Sequence, residues 1–460
     1  MEIKKTALAL ISLSLLACNQ AQEKISETAI LISNVHVVDV RNGGILENQQ
    51  IVVDSGRIQQ LVTAPEALTG YTNMLDAQGA YAVPGLAEMH AHIPSPPTTE
   101  ERIQETLFLY LSNGITTIRG MLGHPRHLEL REEAKTGSLL SPRIFTSSPS
   151  LNGNSVKTPE EARTKVTAYQ ESGYDFLKIH PGIQRGVFDT LVKTANEVGI
   201  PFSGHVPVDV GIRHALESRY ASIDHVDGYL EGLVPQSAGV QPDENGFFGY
   251  NFTPLADTTR IEELVALSKN QGVWVVPTQS LFERWFAPTD ADEMLAQPEM
   301  QYMRASTLEN WKLRKEQSTG EGSGFSAEQW ESFDAIRLQL IKKLQEGGQG
   351  LLLGSDAPQL FNVPGFSIHH EMAGMLRAGL SPLEILQSGT LNPASFFSME
   401  NEFGEIKEGL SADFFLVQGN PLQDLANLRN VDGVMVRGRW ISKEDIQEKL
   451  ESIAANAAKQ

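Results

Sequence analysis

Cysteine is all but missing from this chain: Cys18 is the only one in 460 residues. Past that position there is no thiol, which excludes a disulfide framework and a cysteine nucleophile. Basic clusters are missing too. The formal net charge is −20, and an acidic protein without a basic patch is a poor nucleic-acid binder. The apolar run Ala7–Ala17 is too short to span a bilayer as a permanent helix. A glycine-rich phosphate loop, which would mark the switch point of an open doubly wound sheet, is lacking as well. What is present is a chain that is 41% hydrophobic and able to bury a large core. Its length suits one large α/β barrel with a small companion domain as well as it suits two or three domains.

At the N-terminus, Lys4 and Lys5 precede the short apolar run, which closes in Leu15-Leu16-Ala17-Cys18. This pattern resembles a bacterial lipobox. It implies a cell-envelope lipoprotein, anchored to a membrane through lipidation of Cys18 and cleaved before it. Asn19 in place of an aspartate points to the outer membrane or a periplasm-facing position. Residues 1–18 thus read as signal peptide and lipobox, and 19–27 as a polar tether. Loss of residues 1–17, with Lys4, Lys5 and Glu2, removes a net +1 and leaves −21. An ordinary signal peptide with a chance cysteine is the alternative.

Residues 28–82 carry short β-like runs (29–32, 35–40, 50–53) parted by turn signals such as Asn42-Gly43-Gly44. Similar runs return near the C-terminus at 404–406, 412–417 and 431–436. Two such segments at opposite ends predict one β-sandwich built from residues 28–82 and 397–445. His36 falls in one of these strands and reads as a strand residue. Between them, residues 83–396 alternate strand and helix. Strands are expected at 82–92, 115–119, 143–147, 174–180, 201–205, 221–225, 272–278 and 350–356, eight in all. Helical periodicity fills stretches such as Thr158–Glu171 and Val187–Val198, and Thr158-Pro159-Glu160-Glu161 is a helix start. Eight β/α repeats predict a (β/α)8 TIM barrel, an α/β fold. Two long connections, 228–254 with Phe247, Phe248 and Tyr250, and 280–328 with Trp285, Phe286, Tyr302 and Trp311, read as lid and pocket walls at the barrel's catalytic face.

The chemistry-bearing residues gather at the strand ends. Val83-Pro84-Gly85-Leu86-Ala87-Glu88-Met89-His90-Ala91-His92 ends in two histidines one residue apart, and alternate residues of a strand share a face. Lys178, His205, His225 and Asp356 each lie at or near the close of an apolar strand, the end where barrels place their active sites. Nitrogen and oxygen donors of this kind suit Zn²⁺, Mn²⁺ or a similar divalent ion. Arg119, closing the second strand, is a candidate to grip a substrate carboxylate. His180 and Tyr229 are further candidate substrate contacts. His369, His370 and Glu371 read as supporting residues at a helix start, and His124, His127 and His214 as solvent-facing.

Taken together, PGLAEMHAH, FLKIH, GHVP, SIDH and GSDAP, with the tail FGEIKEGLSADFFLVQGNPL, resemble the amidohydrolase superfamily over about residues 28–442. The set lies nearest the imidazolonepropionase-like or prolidase-like branch. The resemblance implies His90 and His92 as ligands of one metal, His205 and His225 as ligands of a second, and Lys178 as an N6-carboxylysine bridging two ions, most simply Zn²⁺. It implies Asp356 as both metal ligand and proton shuttle for a metal-activated hydroxide. The expected activity is hydrolysis of C–N bonds in small amides such as dipeptides or N-acyl amino acids. A lactonase or a mononuclear deaminase is the alternative on the same fold, and a non-catalytic metal- or ligand-binding lipoprotein the alternative of another class.

Overall fold

Continuous alternation of apolar residues makes one long strand where two short ones were expected: β1 (Ile30–Asp39) carries both N-terminal runs, with a register shift between Ile32 and Val37. The computed structural model describes residues 26–63 and 68–459; Cys18 and the signal segment lie outside them. β2 (Gly44–Asp54) and β3 (Arg57–Thr63) follow as an antiparallel meander, and β4 (Asn73–Asp76) and β5 (Tyr81–Pro84) pair parallel to β1. The chain then turns at Gly85, where a Cβ would lie 2.1 Å from Thr116 Oγ1, so no larger residue fits. The single strand expected at 82–92 is therefore divided: β5 belongs to the flanking sheet and β6 (Leu86–Ala91) opens the barrel.

β6, β7 (Ile115–Gly120), β8 (Arg143–Leu151), β9 (Phe176–Ile179), β10 (Phe202–Gly204), β11 (Ser222–Asp224) and β12 (Trp274–Val276) form a parallel sheet in sequence order. Residues 350–357 supply the eighth stave. Val275 N donates to Gly350 O (3.2 Å) and Leu352 N to Val275 O (2.9 Å) on one side; Met89 N donates to Leu353 O (2.8 Å) and Asp356 N to His90 O (3.0 Å) on the other. Buried Glu88 fastens the same seam, accepting from Ser355 N at 2.8 Å and Ser355 Oγ at 2.7 Å. The (β/α)8 barrel is thereby closed. Helix 159–171 starts where the sequence predicts it, with Thr158 and Glu161 forming a reciprocal cap.

At the far end, β13 (Phe414–Val417), β14 (Val431–Val436) and β15 (Arg439–Ser442) join β5 antiparallel, pairing Phe414 with Pro84 and Val417 with Tyr81. Both chain ends thus build one domain, and its hydrogen bonding runs through a single eight-stranded sheet. Ile32, Val35, Ile51 and Ile58 share a core with Phe414, Leu416 and Met435 on one face, while Val83, Phe415, Val417 and Val434 join the barrel core on the other. Residues 404–406 form no strand, contrary to expectation, and a helix at 443–457, capped by Ser442 and Asp445, follows the last strand. The two long connections are largely helical: 229–232 and 247–255 in the first, 279–286 and 305–319 in the second. No helix among the described residues is long and apolar enough to cross a membrane.

Candidate metal centre

The alternation of β6 turns His90 and His92 to the same side, and the other expected ligands meet them there. The imidazoles form an arc: ring centroids lie 5.4 Å apart for His92 and His90, 4.6 Å for His90 and His225, 4.6 Å for His225 and His205, and 5.0 Å for His205 and His180. Asp356 closes it, its Oδ1 2.6 Å from His92 Nε2 and 3.4 Å from His90 Nε2. Two of the candidate ligands sit on backbone in the left-handed region, His225 at φ 67° and Asp356 at φ 64°. That conformation costs on the order of 1–3 kcal/mol for a non-glycine residue and is concentrated at functional sites.

Neighbours fix the rings. His225 Nδ1 is 2.8 Å from Thr278 Oγ1, His205 Nδ1 3.0 Å from Asp227 Oδ2 and His180 Nδ1 2.6 Å from Ser150 Oγ, which leaves Nε2 of each as the free donor. His90 is 1% exposed, and its Nδ1 has no hydrogen-bond partner. Burial pushes the His90 and His225 imidazoles well below their usual pKa and His180 down to about 2, so all three are neutral. Burial opposes ionisation of Asp356, but His90 and His92 outweigh it and hold the carboxyl at about 2. Ligating atoms of His90, His225 and Asp356 all lie within 4.8 Å of one another. Neutral imidazoles converging on an ionised carboxylate, one with an orphaned buried nitrogen, are a donor set that fits a divalent cation.

Lys178 lies beneath the arc, fully buried, with Nζ 3.4 Å from Asp224 Oδ2. Burial lowers its pKa. Asp224, not singled out from sequence, is the electrostatic hub of the floor. Its Oδ1 accepts from Arg119 Nη2 at 3.0 Å and Ser222 Oγ at 3.1 Å, and its Oδ2 is 3.3 Å from His90 Nδ1. Burial alone would raise its pKa, yet Arg119 and Lys178 keep it lowered. A charged residue inside an apolar strand, next to a ligand histidine, was the available signal. Asp227, which orients His205, was missed for want of one.

Three expectations are corrected. Arg119 does not face a substrate: it is 0% exposed and its guanidinium is spent on Met89 O (2.7 Å), Ser222 Oγ (2.9 Å) and Asp224. Tyr229 is likewise buried, its hydroxyl 2.6 Å from Ser268 Oγ on helix 261–271, away from the arc. His127 is buried rather than solvent-facing, with Nε2 3.3 Å from Pro94 O. His180, by contrast, stands at the open end of the arc. His124 caps helix 125–136, and half-buried His214 pairs with Asp189. His369 and His370 bind Asn113 and Glu299, and Glu371 accepts from Ser280 N, all outside the centre. Of the aromatic residues expected as walls, Phe248 reaches the histidines, with its ring 5.7 Å from His205 and 5.5 Å from His225. Tyr302 instead stacks on Phe366, and Trp311 packs on Phe361.

Comparison with known proteins gives a consistent frame. Residues 81–441 match the model of the amidohydrolase family. An adenine deaminase of Clostridium botulinum is 20% identical over 427 residues, covering 91% of this chain and 58% of the relative. Adenine deaminase 2 of Desulfotalea psychrophila is 26% identical over 45% of this chain and 37% of its own length. The chain thus spans between about a third and three fifths of these curated relatives. Among solved structures, a bottromycin amidohydrolase superposes with a TM-score of 0.69 at 21% identity, over 94% of this chain and 91% of the other. A Xaa-Pro dipeptidase gives 0.65 at 20% identity, over 90% and 100%. These likenesses are of fold.

Proposed function

The chain belongs to the amidohydrolase family, and on that premise we propose that it is a metal-dependent hydrolase of C–N bonds in small amides such as dipeptides or N-acyl amino acids. The observation that carries this reading is the arc of imidazoles closed by Asp356 at the mouth of the barrel. His90, His92 and Asp356 would hold one ion and His205 and His225 a second, with Zn²⁺ or Mn²⁺ suited to the donors. The resemblance of FLKIH to the family motif supports Lys178 as a ligand to both in carbamylated form. A carbamate suits this position because a buried ammonium beside cations is repelled, whereas its CO₂ adduct is an anionic ligand. When bound, the ions lower the pKa of a coordinated water towards neutrality and polarise a carbonyl held beside it.

The remaining work falls to side chains. Asp356, ionised at neutral pH and steadied by Gln359 Nε2 at 3.1 Å from Oδ2, takes the proton of the attacking water and passes it to the leaving nitrogen. His180, neutral and anchored by Ser150, orients the substrate from the open end of the arc. Asp224 and Arg119 hold the floor rigid beneath the reacting atoms. The relatives named as adenine deaminases favour a second reading, hydrolytic release of ammonia from an amino-substituted ring. One assay separates the two: metal-analysed protein is screened on dipeptides, N-acyl amino acids, lactones and aminopurines, with free amine and ammonia measured separately. Less than one metal per chain with no hydrolysis of any amide would overturn the proposal. We also propose that Cys18 anchors the protein to the outer membrane or a periplasm-facing membrane, on the strength of the lipobox-like sequence.

A further inference from the structure

The segment 246–251 puts an aromatic ring against two of the metal-binding histidines by an expensive route. Phe248 is held at φ 49°, ψ 42°, in the left-handed region that glycine adopts freely and phenylalanine does not. The turn is pinned from below. A Cβ on Gly249 would lie 2.9 Å from Leu230 Cδ2, Asn245 Nδ2 donates to Glu231 Oε1 at 2.8 Å, and Asn251 N donates to Asn245 O at 3.0 Å. Behind the ring stand Phe247 at 4.5 Å and Phe282 at 5.0 Å between centroids, both in edge-on contact, and Phe247 leans on Trp285 at 4.4 Å. Phe248, Phe247 and Trp285 remain half-buried, so aromatic surface is left open beside the arc. On the same floor, the arginine that a carboxylate-bearing substrate would have used, Arg119, is committed to Asp224.

We propose that Phe248 is a specificity-determining residue, and that the preferred substrates carry a flat aromatic group adjacent to the scissile C–N bond. The inference rests on the hydrolase reading for its chemistry but not for its binding. A fixed, backed aromatic wall favours ring-bearing ligands by edge-to-face or offset contact, over and above the area they bury. Because the turn is pinned, the wall exists before the ligand arrives and little ordering is needed on binding.

Calorimetric titration with phenylacetate and acetate, which share a carboxylate and differ by the ring, tests the wall without turnover. Metal-loaded wild-type protein is expected to bind phenylacetate at least about fivefold more tightly than acetate. F248A is expected to erase that preference, and F248Y to keep it. F248L, which retains apolar volume, serves if the alanine variant does not fold, and is also expected to lose most of it. In parallel, the ratio of kcat/KM for N-phenylacetylglycine over N-acetylglycine falls by the same factor in F248A. Equal affinities in the wild type, a preference that survives in F248A and F248L, or an equal loss on both substrates would overturn the proposal. A ring preference in binding with no hydrolysis of either compound would uphold the wall and exclude these two amides as substrates, the hydrolase reading itself falling only with the metal analysis and the full amide screen.

Discussion

Arg119 and Asp224, 105 residues apart on strands β7 and β11, meet with Nη2 to Oδ1 at 3.0 Å where neither is exposed. Removing Arg119 leaves the buried Asp224 carboxylate with only Ser222 Oγ at 3.1 Å and Lys178 Nζ at 3.4 Å, and breaking a buried pair in this way costs roughly 3–5 kcal/mol. R119M is therefore expected to lose about that much unfolding free energy in denaturant titration. R119K restores little, because one ammonium cannot serve Met89 O, Ser222 and Asp224 in the guanidinium's fork. A loss below about 1 kcal/mol would mean that the pair is not the keystone of the barrel floor.

The metal ligands give the second prediction. H90A and D356N are each expected to abolish turnover while the far-ultraviolet circular dichroism stays that of the wild type. H90A should also lower the metal content measured by elemental analysis. Activity near wild-type in both variants would contradict the site.

Chelation supplies the third. An ion that binds the folded chain alone stabilises it by RT ln(1 + [L]/Kd), about 4 kcal/mol at a thousandfold excess over Kd. Stripping the metal with a chelator is expected to lower Tm, and adding back Zn²⁺ or Mn²⁺ to restore it. A Tm indifferent to chelator would argue that the arc holds no ion.

Glu371 gives a pH signature away from the metal centre. It is 0% exposed on helix 367–377, its Oε1 has no partner, and burial pushes its pKa from the ordinary 4.5 up to about 7. The unfolded chain releases this proton first, so the contribution to stability is full below about pH 4.5 and declines as pH rises to about 7. The swing is on the order of 3 kcal/mol. E371Q is expected to lack it, so the difference in unfolding free energy between variant and wild type should change between pH 4.5 and pH 8. A difference independent of pH would refute the assignment.

For the anchor, C18S is expected to move the protein from the membrane to the soluble fraction. A processed C18S form that stays with the membrane would refute lipidation at that residue.

Much of the gathering of these side chains was legible in sequence because the candidate ligands close apolar strands, where a polar residue is conspicuous. His90, His92, Lys178, His205, His225 and Asp356 all come together as expected. What was not legible concerns partners rather than positions. Arg119 sits at the correct end of its strand, but its orientation depends on Asp224, which lies four strands further round the barrel on β11. Tyr229 follows His225 closely, yet a short helix turns it outward towards Ser268. His127 looked solvent-facing because the helix around it is polar. Only the packing of Pro94 against it reveals the buried face. Pro84-Gly85 was legible as the passage from the β domain into the barrel, but not as a break within the strand, since an apolar run reads the same whether it serves one sheet or two.

The pairing of β5 with β13 sets a timetable for biogenesis. Phe414 meets Pro84 330 residues after it in the chain, and Val417 meets Tyr81 336 residues after it. At ordinary rates of about 5–20 residues per second, the ribosome needs roughly 20–70 s to deliver the second strand after the first. Throughout that interval the edge of β5 has no partner, and such an edge recruits other chains. Since β5 continues through Gly85 into the strand that carries His90 and His92, the sheet that adjoins the candidate metal centre stays incomplete until the last tenth of the polypeptide has been made.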